Sequence, residues 1–317
     1  MPLATCAAAL PILPRPVLAQ AYPSRPVRIV VGFAAGGAFD IAARLMGQWL
    51  SDRLGRPFVI ENRPDGSTNI ATEAVVRAPP DGHTLLLGGG TNAINATLYE
   101  NLKFDFIRDT APVAGMIRFP NVVAVAPSFP AKTIAELIGH ARVNPGKINY
   151  ASAGIGTTQH LSGELFNMRA GVNLIHVPYR GAAPALTDLL GGNVEVTFAP
   201  LPALIDLIRA GTVRALAVTS AARSESLPQT PTVAEFIPGY EASAWNGLVA
   251  PRKTPIDLID KLNREVNAGL GDPKLKAQFE RLGGTVLPGS PVEFGRLIAD
   301  ETEKWGKVVK FAGIKPA

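Results

Sequence analysis

The sequence predicts an α/β protein, and three features carry that prediction. Short apolar runs alternate with helical patterns along most of the chain, the order of strands and helices in βαβ units. Glycine pairs and triplets follow several of those runs, where a chain turns from strand to helix. With 317 residues, 47% of them hydrophobic, the chain can bury one large core or two of ordinary size. This order implies largely parallel sheets, in which ligands sit outside the C-terminal strand ends near topological switch points. Two such sheets side by side make a cleft.

The elements follow in order. Val27–Val31 is an apolar strand, and Gly36 and Gly37 stand just behind it. Lacking Cβ, they let something approach the backbone closely. Ile41, Leu45 and Trp49 then recur at four-residue spacing, with Met46 and Leu50 beside them, so a helix is expected from about Asp40 to Leu54. Free N–H groups at such a start favour an anion. Pro57–Glu61 reads as a strand, Asn69–Arg77 as a short helix, and Thr84–Leu87 as a strand closed by Gly88-Gly89-Gly90. Asn121–Pro127 is another strand, ahead of Thr133-x-x-Glu136, a capping box for the helix "IAELIGHARV". Strands are expected at Ile148–Ala151, Leu174–Val177, Val194–Phe198 and Val213–Thr219. Between them lie helices bearing Leu161, Leu165 and Phe166, then around Ala183–Leu190 and Leu201–Ala210. Gly191-Gly192 and Gly211 are suited to helix C-termini. Further on, Thr254-Pro255 reads as cap and first turn of a helix with Ile259, Leu262, Val266 and Leu270 on one face, ended by Gly271-Asp272-Pro273. Ser290-Pro291-x-Glu293 opens a last helix, with Phe294, Leu297, Ile298 and Trp305 inward.

The N-terminus has a different character. "ATCAAALPILPRPVLAQA" is small, apolar and free of acids, and ends Ala19-Gln20-Ala21, an A-x-A cleavage pattern. Export with cleavage after Ala21 is expected, against a basic n-region that is missing and the helix-disfavouring Pro11, Pro14 and Pro16. Cys6, the one cysteine, lies in that segment. Disulfides, thiolate metal sites and a cysteine nucleophile are therefore excluded from the remainder, which suits an oxidising periplasm. The net charge of +5 is spread without a basic cluster interleaved with aromatics, so nucleic acid is not expected as a partner. The sequence holds no uninterrupted apolar run suited to crossing a bilayer.

Four Gly- or hydroxyl-rich segments follow strands and could converge on one cleft. They are Phe33-Ala34-Ala35-Gly36-Gly37-Ala38-Phe39-Asp40, then Gly88-Gly89-Gly90-Thr91-Asn92, then the run from Ser152 to His160, and Val177-Pro178-Tyr179-Arg180-Gly181-Ala182-Ala183. Each has a plain structural alternative. Asp40 reads as a helix cap or as a ligand group. Thr157 and Thr158 read as caps, His160 as a packed histidine, Tyr179 as a core residue with its hydroxyl satisfied, and Arg180 as a solvated charge. Competing chemistries lack their motifs. No G-x-G-x-x-G, Walker A, His-Glu-x-x-His or G-x-S-x-G pattern is present. His83, His140, His160 and His176 are scattered, so neither metal nor cofactor is expected.

Seven stretches occur here in order: "YPSRPVRIVVGFAAGGAFDIAARL", "VIENRP", "PPDGHTLLLG", "HVPYRGAAPALTDLLGGNVEVTF", "IRAGTVRALAVTS", "RSESLPQTPTVAE" and "WNGLVAPRKTP". From about Tyr22 to the C-terminus the chain closely resembles the extracytoplasmic substrate-binding proteins of tripartite tricarboxylate transporters, the Bug or TctC-like family. That resemblance implies a type II periplasmic binding protein, a monomer of two α/β lobes with a ligand cleft between them. Two chain crossovers would fall near Asn121–Ala126 and Ala244–Ala250. Residues 1–21 would be a signal peptide, 22–123 with 246–317 one lobe, and 124–245 the other. The solute would be a small organic carboxylate (a di- or tricarboxylate, an aromatic acid or an acidic amino acid), passed to membrane permease subunits without conversion. The resemblance assigns its capture to Phe33, Ala34, Ala35, Gly36, Gly37, Phe39 and Asp40 on one rim. Ser152, Gly154, Thr157, Thr158 and His160 form the other, with Thr91, Tyr179, Phe198 and Ala199 as lining. The alternatives are an α/β enzyme acting on a phosphorylated or acyl substrate at the same loops, and a ligand-sensing regulatory domain. One departure from the family pattern stands out. After "ENRP" the usual glycines are replaced by Asp65, Ser67, Thr68 and Ala71, and an inward Asp65 would shift preference toward a less charged solute. Phe39, in place of a smaller residue, would narrow the site or add an apolar wall.

Overall fold

Val27, Ile29, Val30 and Val31 are fully buried, and the strand they form is sheathed by helices on both faces, as a run this apolar requires. The structure, a computed structural model, describes residues 22–64, 67–179 and 181–316. Its first elements are β1 (Val27–Val31), α1 (Ala38–Leu54), β2 (Phe58–Asn62), α2 (Asn69–Val76), β3 (Thr84–Gly89), α3 (Gly90–Leu98) and α4 (Phe106–Asp109). The middle of the chain forms β4 (Thr110–Val125), α5 (Ile134–Val143), β5 (Asn149–Ser152), α6 (Thr158–Ala170), β6 (Ile175–Pro178), α7 (Ala182–Leu190), β7 (Val196–Pro200), α8 (Leu201–Arg209) and β8 (Arg214–Val218). The last part is β9 (Ser243–Pro251), α9 (Ile256–Gly271), α10 (Pro273–Arg281), β10 (Thr285–Val286) and α11 (Pro291–Ala312).

The sheet order is β2-β1-β3-β9-β4-β7-β5-β6, with β10 and β8 also on β4. β1 is parallel to β2 and β3, and β5 is parallel to β6 and β7. The expectation of largely parallel sheets needs correcting at the centre. β9 runs antiparallel to β3 and β4, and β4 runs antiparallel to β7 and β8, so the sheets are mixed. Parallel neighbours are made by helical crossovers, whereas β4 and β9 are long strands that traverse the middle in opposite directions.

β4 spans 16 residues, of which the sequence pattern marked only the last part. Pro112 and Pro120 cannot donate to a ladder, and the register shifts between Pro112 and Ala114 and again between Gly115 and Ile117 absorb the disruption as bulges. The ladder changes partners at Pro120/Asn121. Residues up to Pro120 pair with β9, and those from Asn121 onward pair with β7 and β8. The chain returns through Ala242, whose N–H donates to the Thr219 carbonyl, and Ser243, which pairs with Pro120.

Burial organises two apolar clusters. One joins β1 to α1, α9 and α10 through Val31, Met46, Leu50, Leu262 and Phe279. The other surrounds β5 and β7 and reaches α3 and α11 through Leu98, Trp245 and Trp305. Each large side chain buried this way contributes roughly 1.5–3 kcal/mol. α11 packs on α3, β4 and α6, so the last helix touches both halves of the sheet system. No described helix is long and apolar enough to cross a membrane.

Candidate functional site

The first loop is shaped by Asp40. Gly37, in extended conformation, is the N-cap of α1, and no side chain caps it. Asp40 in the first turn is 1% exposed and reaches back along the loop. Its Oδ2 accepts from the Gly36 N–H and from Arg44 Nε, each at 2.9 Å, and its Oδ1 accepts from Asn62 Nδ2 at 2.8 Å. Burial pushes the carboxyl pKa up, but those hydrogen bonds and the Arg44 charge outweigh it and hold the value below the usual range. Asp40 is thus consumed in holding the loop, and is not free for a ligand. Gly36 sits at φ +87°, open to glycine and costly for other residues. Among the described residues nothing accepts from the N–H groups of Ala38 and Phe39. Ala34, Ala35, Gly36 and Gly37 are exposed. Phe33 and Phe39 stack, their centroids 4.8 Å apart, and Phe39 meets Phe119 edge-on.

The glycine triplet is not a simple end to β3. Gly88 and Gly89 continue the strand against β9, while Gly90 and Thr91 begin α3. A Cβ on Gly89 would lie 2.5 Å from the Trp245 carbonyl oxygen, so no side chain fits there. The Gly89 N–H donates to Asn92 Oδ1 at 2.9 Å. Asn92 Nδ2 in turn donates to Thr72 Oγ1 at 2.8 Å and Thr68 Oγ1 at 3.1 Å. Thr68 stands at φ +65°, an uncommon conformation for a β-branched residue, at a position where the family pattern has glycine. Asp65, Arg180 and residues 1–21 lie outside the described residues.

The third loop is tied by its own side chains. Thr157 caps α6, accepting from the His160 N–H at 3.3 Å and donating to the Gly154 carbonyl at 2.8 Å. Ser152 Oγ is 2.6 Å from His176 Nε2 and accepts from the Gly154 N–H at 3.1 Å. His160 Nδ1 accepts from the Gly156 N–H at 3.2 Å, and its ring stacks on His176 with centroids 3.7 Å apart. Burial pushes His160 down to about 3, with help from the neighbouring His176, and pushes His176 down to about 4. Both rings are neutral near pH 7. Ser152, Thr157 and His160 therefore shape the loop, with their polar atoms engaged.

Three further expected residues are turned elsewhere. The Tyr179 hydroxyl donates to Asp188 Oδ2 at 2.6 Å, and burial with that carboxylate pushes it up to about 12. Phe198 is core, its ring between Tyr150 and Phe166. Ala199 is buried in the pairing of β7 with Val122.

Phe33 and Phe39 from the first loop, Gly90 and Thr91 from the second, and Thr158 from the third line one small cavity with Asn246 of β9. Its volume, about 10 Å³, holds roughly one water. The first turns of α1, α3 and α6 all reach it, and their N-terminal partial charges make it electropositive. No charged side chain lines it. Asn246 is the residue that sequence reasoning missed. It is 1% exposed, and neither its Oδ1 nor its Nδ2 has a partner. The available signal was a lone amide inside the apolar run "SAWNGLVAP". Two larger grooves, about 290 Å³ between α6 and α11 and about 760 Å³ between the end of α3 and the C-terminus, contain none of the four loops. Among the described residues no group of three or more His, Cys, Asp or Glu could hold a metal ion.

The sequence and the fold are both shared with known proteins. Residues 42–314 match the family model for the tripartite tricarboxylate transporter family receptor, TctC. The chain is 40% identical to Rpa4515 from R. palustris, solved with adipate, with a TM-score of 0.83 over 93% of this chain and 100% of that one. The periplasmic binding protein BugD is 36% identical, with a TM-score of 0.79 over 93% and 99%. MatC from Rhodopseudomonas palustris, solved with bound malate, is 32% identical, with a TM-score of 0.79 over 91% and 100%.

Proposed function

The chain belongs to the tripartite tricarboxylate transporter receptor family, and we propose that it captures a small organic carboxylate in the cavity beneath the starts of α1, α3 and α6. It is a solute-binding receptor in a family that binds without converting, so the enzyme alternative falls away. One observation carries the choice of carboxylate. Three helix N-termini, two of them with a glycine N-cap and no side chain to cap them, converge on a cavity that holds two hydroxyls and no acid. Helix N-termini attract anions through their unpaired N–H groups and the dipole. Hydrogen bonds to a charged acceptor contribute on the order of 1.5–3 kcal/mol each. A few of them offset desolvation and support a micromolar dissociation constant, about −8 kcal/mol. Adipate and malate, which relatives were solved with, are acids of this kind.

The site residues in this reading are the exposed Ala34–Gly37 backbone, the N–H groups of Ala38 and Phe39, Phe33 and Phe39 as apolar wall, and Thr91 and Thr158. A cavity of about 10 Å³ is too small for such a solute, so entry requires the two halves to part. The lobes are proposed as 22–123 with 246–317 against 124–245, flexing where β4 changes partners and where the chain returns at Ala242. Closure on the solute would then complete the donor set and shift the open–closed population. Export through residues 1–21, a monomeric state and delivery to membrane permease subunits complete the proposal. A thermal-shift panel of mono-, di- and tricarboxylates and amino acids tests it. At least one member should raise Tm in a concentration-dependent way, and a flat response across the panel counts against it.

A further inference from the structure

We infer that Asn246 reads a hydrogen-bond donor on the bound acid, so that the preferred solute is a carboxylate carrying a hydroxyl or N–H group rather than a plain acid. This rests on the carboxylate reading of the same cavity. Asn246 stands in β9 between β3 and β4, opposite Gly89 on one side and Ile117 on the other, so its backbone is fixed by two ladders. All nine residues of β9 are buried, and its neighbours Trp245, Gly247 and Leu248 are apolar or pack tightly. An apolar side chain would satisfy a strand of this kind. Asn246 instead lines the cavity, and both polar atoms of its amide are unpartnered. Burying an amide without partners costs free energy. The other asparagine at the centre, Asn121, at least donates its NH₂ to Ser162 Oγ at 2.9 Å. Asn246 does not even have that.

The surrounding groups narrow what can satisfy it. Gly89 and Gly90 bring no side chain, and Phe33 and Phe39 bring only rings. Thr91 and Thr158 are the side chains there with a hydroxyl. A carboxamide presents a donor edge and an acceptor edge side by side. A bare carboxylate answers only the Nδ2 edge and sets its negative charge against Oδ1. A 2-hydroxy acid, an amino acid or an acid amide supplies an acceptor to Nδ2 and a donor to Oδ1 at once. The helix starts then take the remaining carboxylate charge, and the Phe33–Phe39 stack takes the carbon skeleton.

Calorimetric titration of the purified full chain with matched pairs tests this: mandelate against phenylacetate, lactate against propionate, and 2-hydroxyglutarate against glutarate. The hydroxylated member of a binding pair should bind roughly tenfold tighter or more, because a site built around a donor rejects the analogue lacking it. Asn246→Leu should bring the two members together, chiefly by weakening the hydroxylated one. Asn246→Asp, which keeps the shape, should weaken every acid through like charge. Equal affinity within pairs in the unmodified protein, or a preference that survives Asn246→Leu, overturns the inference while leaving the receptor a carboxylate binder. Should Asn246→Leu not fold, the pair comparison in the unmodified protein decides alone. Absence of binding by every acid overturns the carboxylate reading and this inference with it.

Discussion

The γ-methyl of Thr158, in the first turn of α6, lies 3.1 Å from the point where a Cβ on Gly90 would sit. Gly90 follows β3 and Thr158 follows β5, so a side chain at Gly90 would crowd a contact between the two halves of the sheet system, on which the proposed closure depends. Gly156 and Leu98 repeat the arrangement, since a Cβ there would meet Leu98 Cδ2 at 2.6 Å. Gly90→Val should hold the halves apart, with its added carbons against the Thr158 methyl and beside the Trp245 indole. The expected outcome is a solute affinity lower by roughly tenfold or more, about 1.4 kcal/mol, with a larger radius of gyration in solution scattering. An unchanged affinity would mean that closure does not pass through this contact.

Asp40 holds the first loop in shape. Its carboxylate is the common acceptor for Gly36, Arg44 and Asn62. Asp40→Ala should lower stability by about 2 kcal/mol, the range for a buried charged acceptor, read by urea denaturation. Because its folded pKa lies below the unfolded one, its contribution is complete above the unfolded value of roughly 4 and is lost as pH falls through the folded value. The variant should therefore lose part of the acid limb of the stability profile.

The stacked His160–His176 pair gives a second pH dependence with a different window. Folded values of about 3 and about 4 lie below the ordinary value. Below about pH 6.5 the unfolded chain takes up protons that the folded chain refuses. Stability should fall as pH drops from about 6.5 toward 4, each histidine contributing up to about 1.4 kcal/mol per pH unit. Glu164 faces the pair, 3.8 Å from His160 Nε2, and Tyr150 donates to it at 2.6 Å. Burial raises the Glu164 pKa, so its own contribution is lost as pH rises and opposes the histidines slightly. His176→Asn should flatten a Tm profile recorded from pH 7 to pH 4, and a profile as steep as that of the unmodified chain would contradict the assignment.

Beneath the return of the chain, Trp245 and Trp305 both donate to Glu301 Oε2, at 3.2 and 2.8 Å. Lys304 pairs with Glu301 and with Glu241, which Arg118 also meets. Lys304→Met leaves two carboxylates without their shared cation and should cost about 2 kcal/mol, less than for a fully buried pair because Lys304 is part-exposed. Glu301→Gln keeps an acceptor for the indoles and should cost less, about 1 kcal/mol. Tryptophan fluorescence during urea unfolding reports both, since two of the three tryptophans sit here.

Much of this architecture was legible because local signals agreed with the tertiary demand. β1 spans Val27–Val31 as the apolar run indicated, and α11 opens on the reciprocal Ser290–Glu293 capping box. What was not legible depended on distant partners. Prolines at 112 and 120 hid most of β4, which tolerates them through bulges. β9 is buried on every residue and so shows no alternation. Gly88-Gly89-Gly90 resembled a turn, yet two of them are strand residues, Gly89 kept bare by the Trp245 carbonyl and Gly88 crowded by the Phe106 ring. Thr254 was expected to cap α9 but donates to the Pro251 carbonyl instead.

The same distinction divides the candidate site. The order of elements anticipates that the first three strand-end loops meet at one cavity, although the fourth gives it no described lining residue. That order does not settle which atoms face the cavity, because capping geometry decides that Thr157 turns inward to its own loop while Thr158 reaches across. Asn246 gains its place only through antiparallel pairing with a strand more than a hundred residues away in sequence.

Trapping an acid by uncharged donors is tested most directly by calorimetry on the unmodified protein and on Thr158→Val, using whichever carboxylate raises Tm most. One acid molecule should bind per chain and be recovered chemically unchanged. Thr158→Val should bind it roughly tenfold more weakly with Tm of the empty protein preserved. Equal affinity in the two proteins, or consumption of the acid, would contradict it.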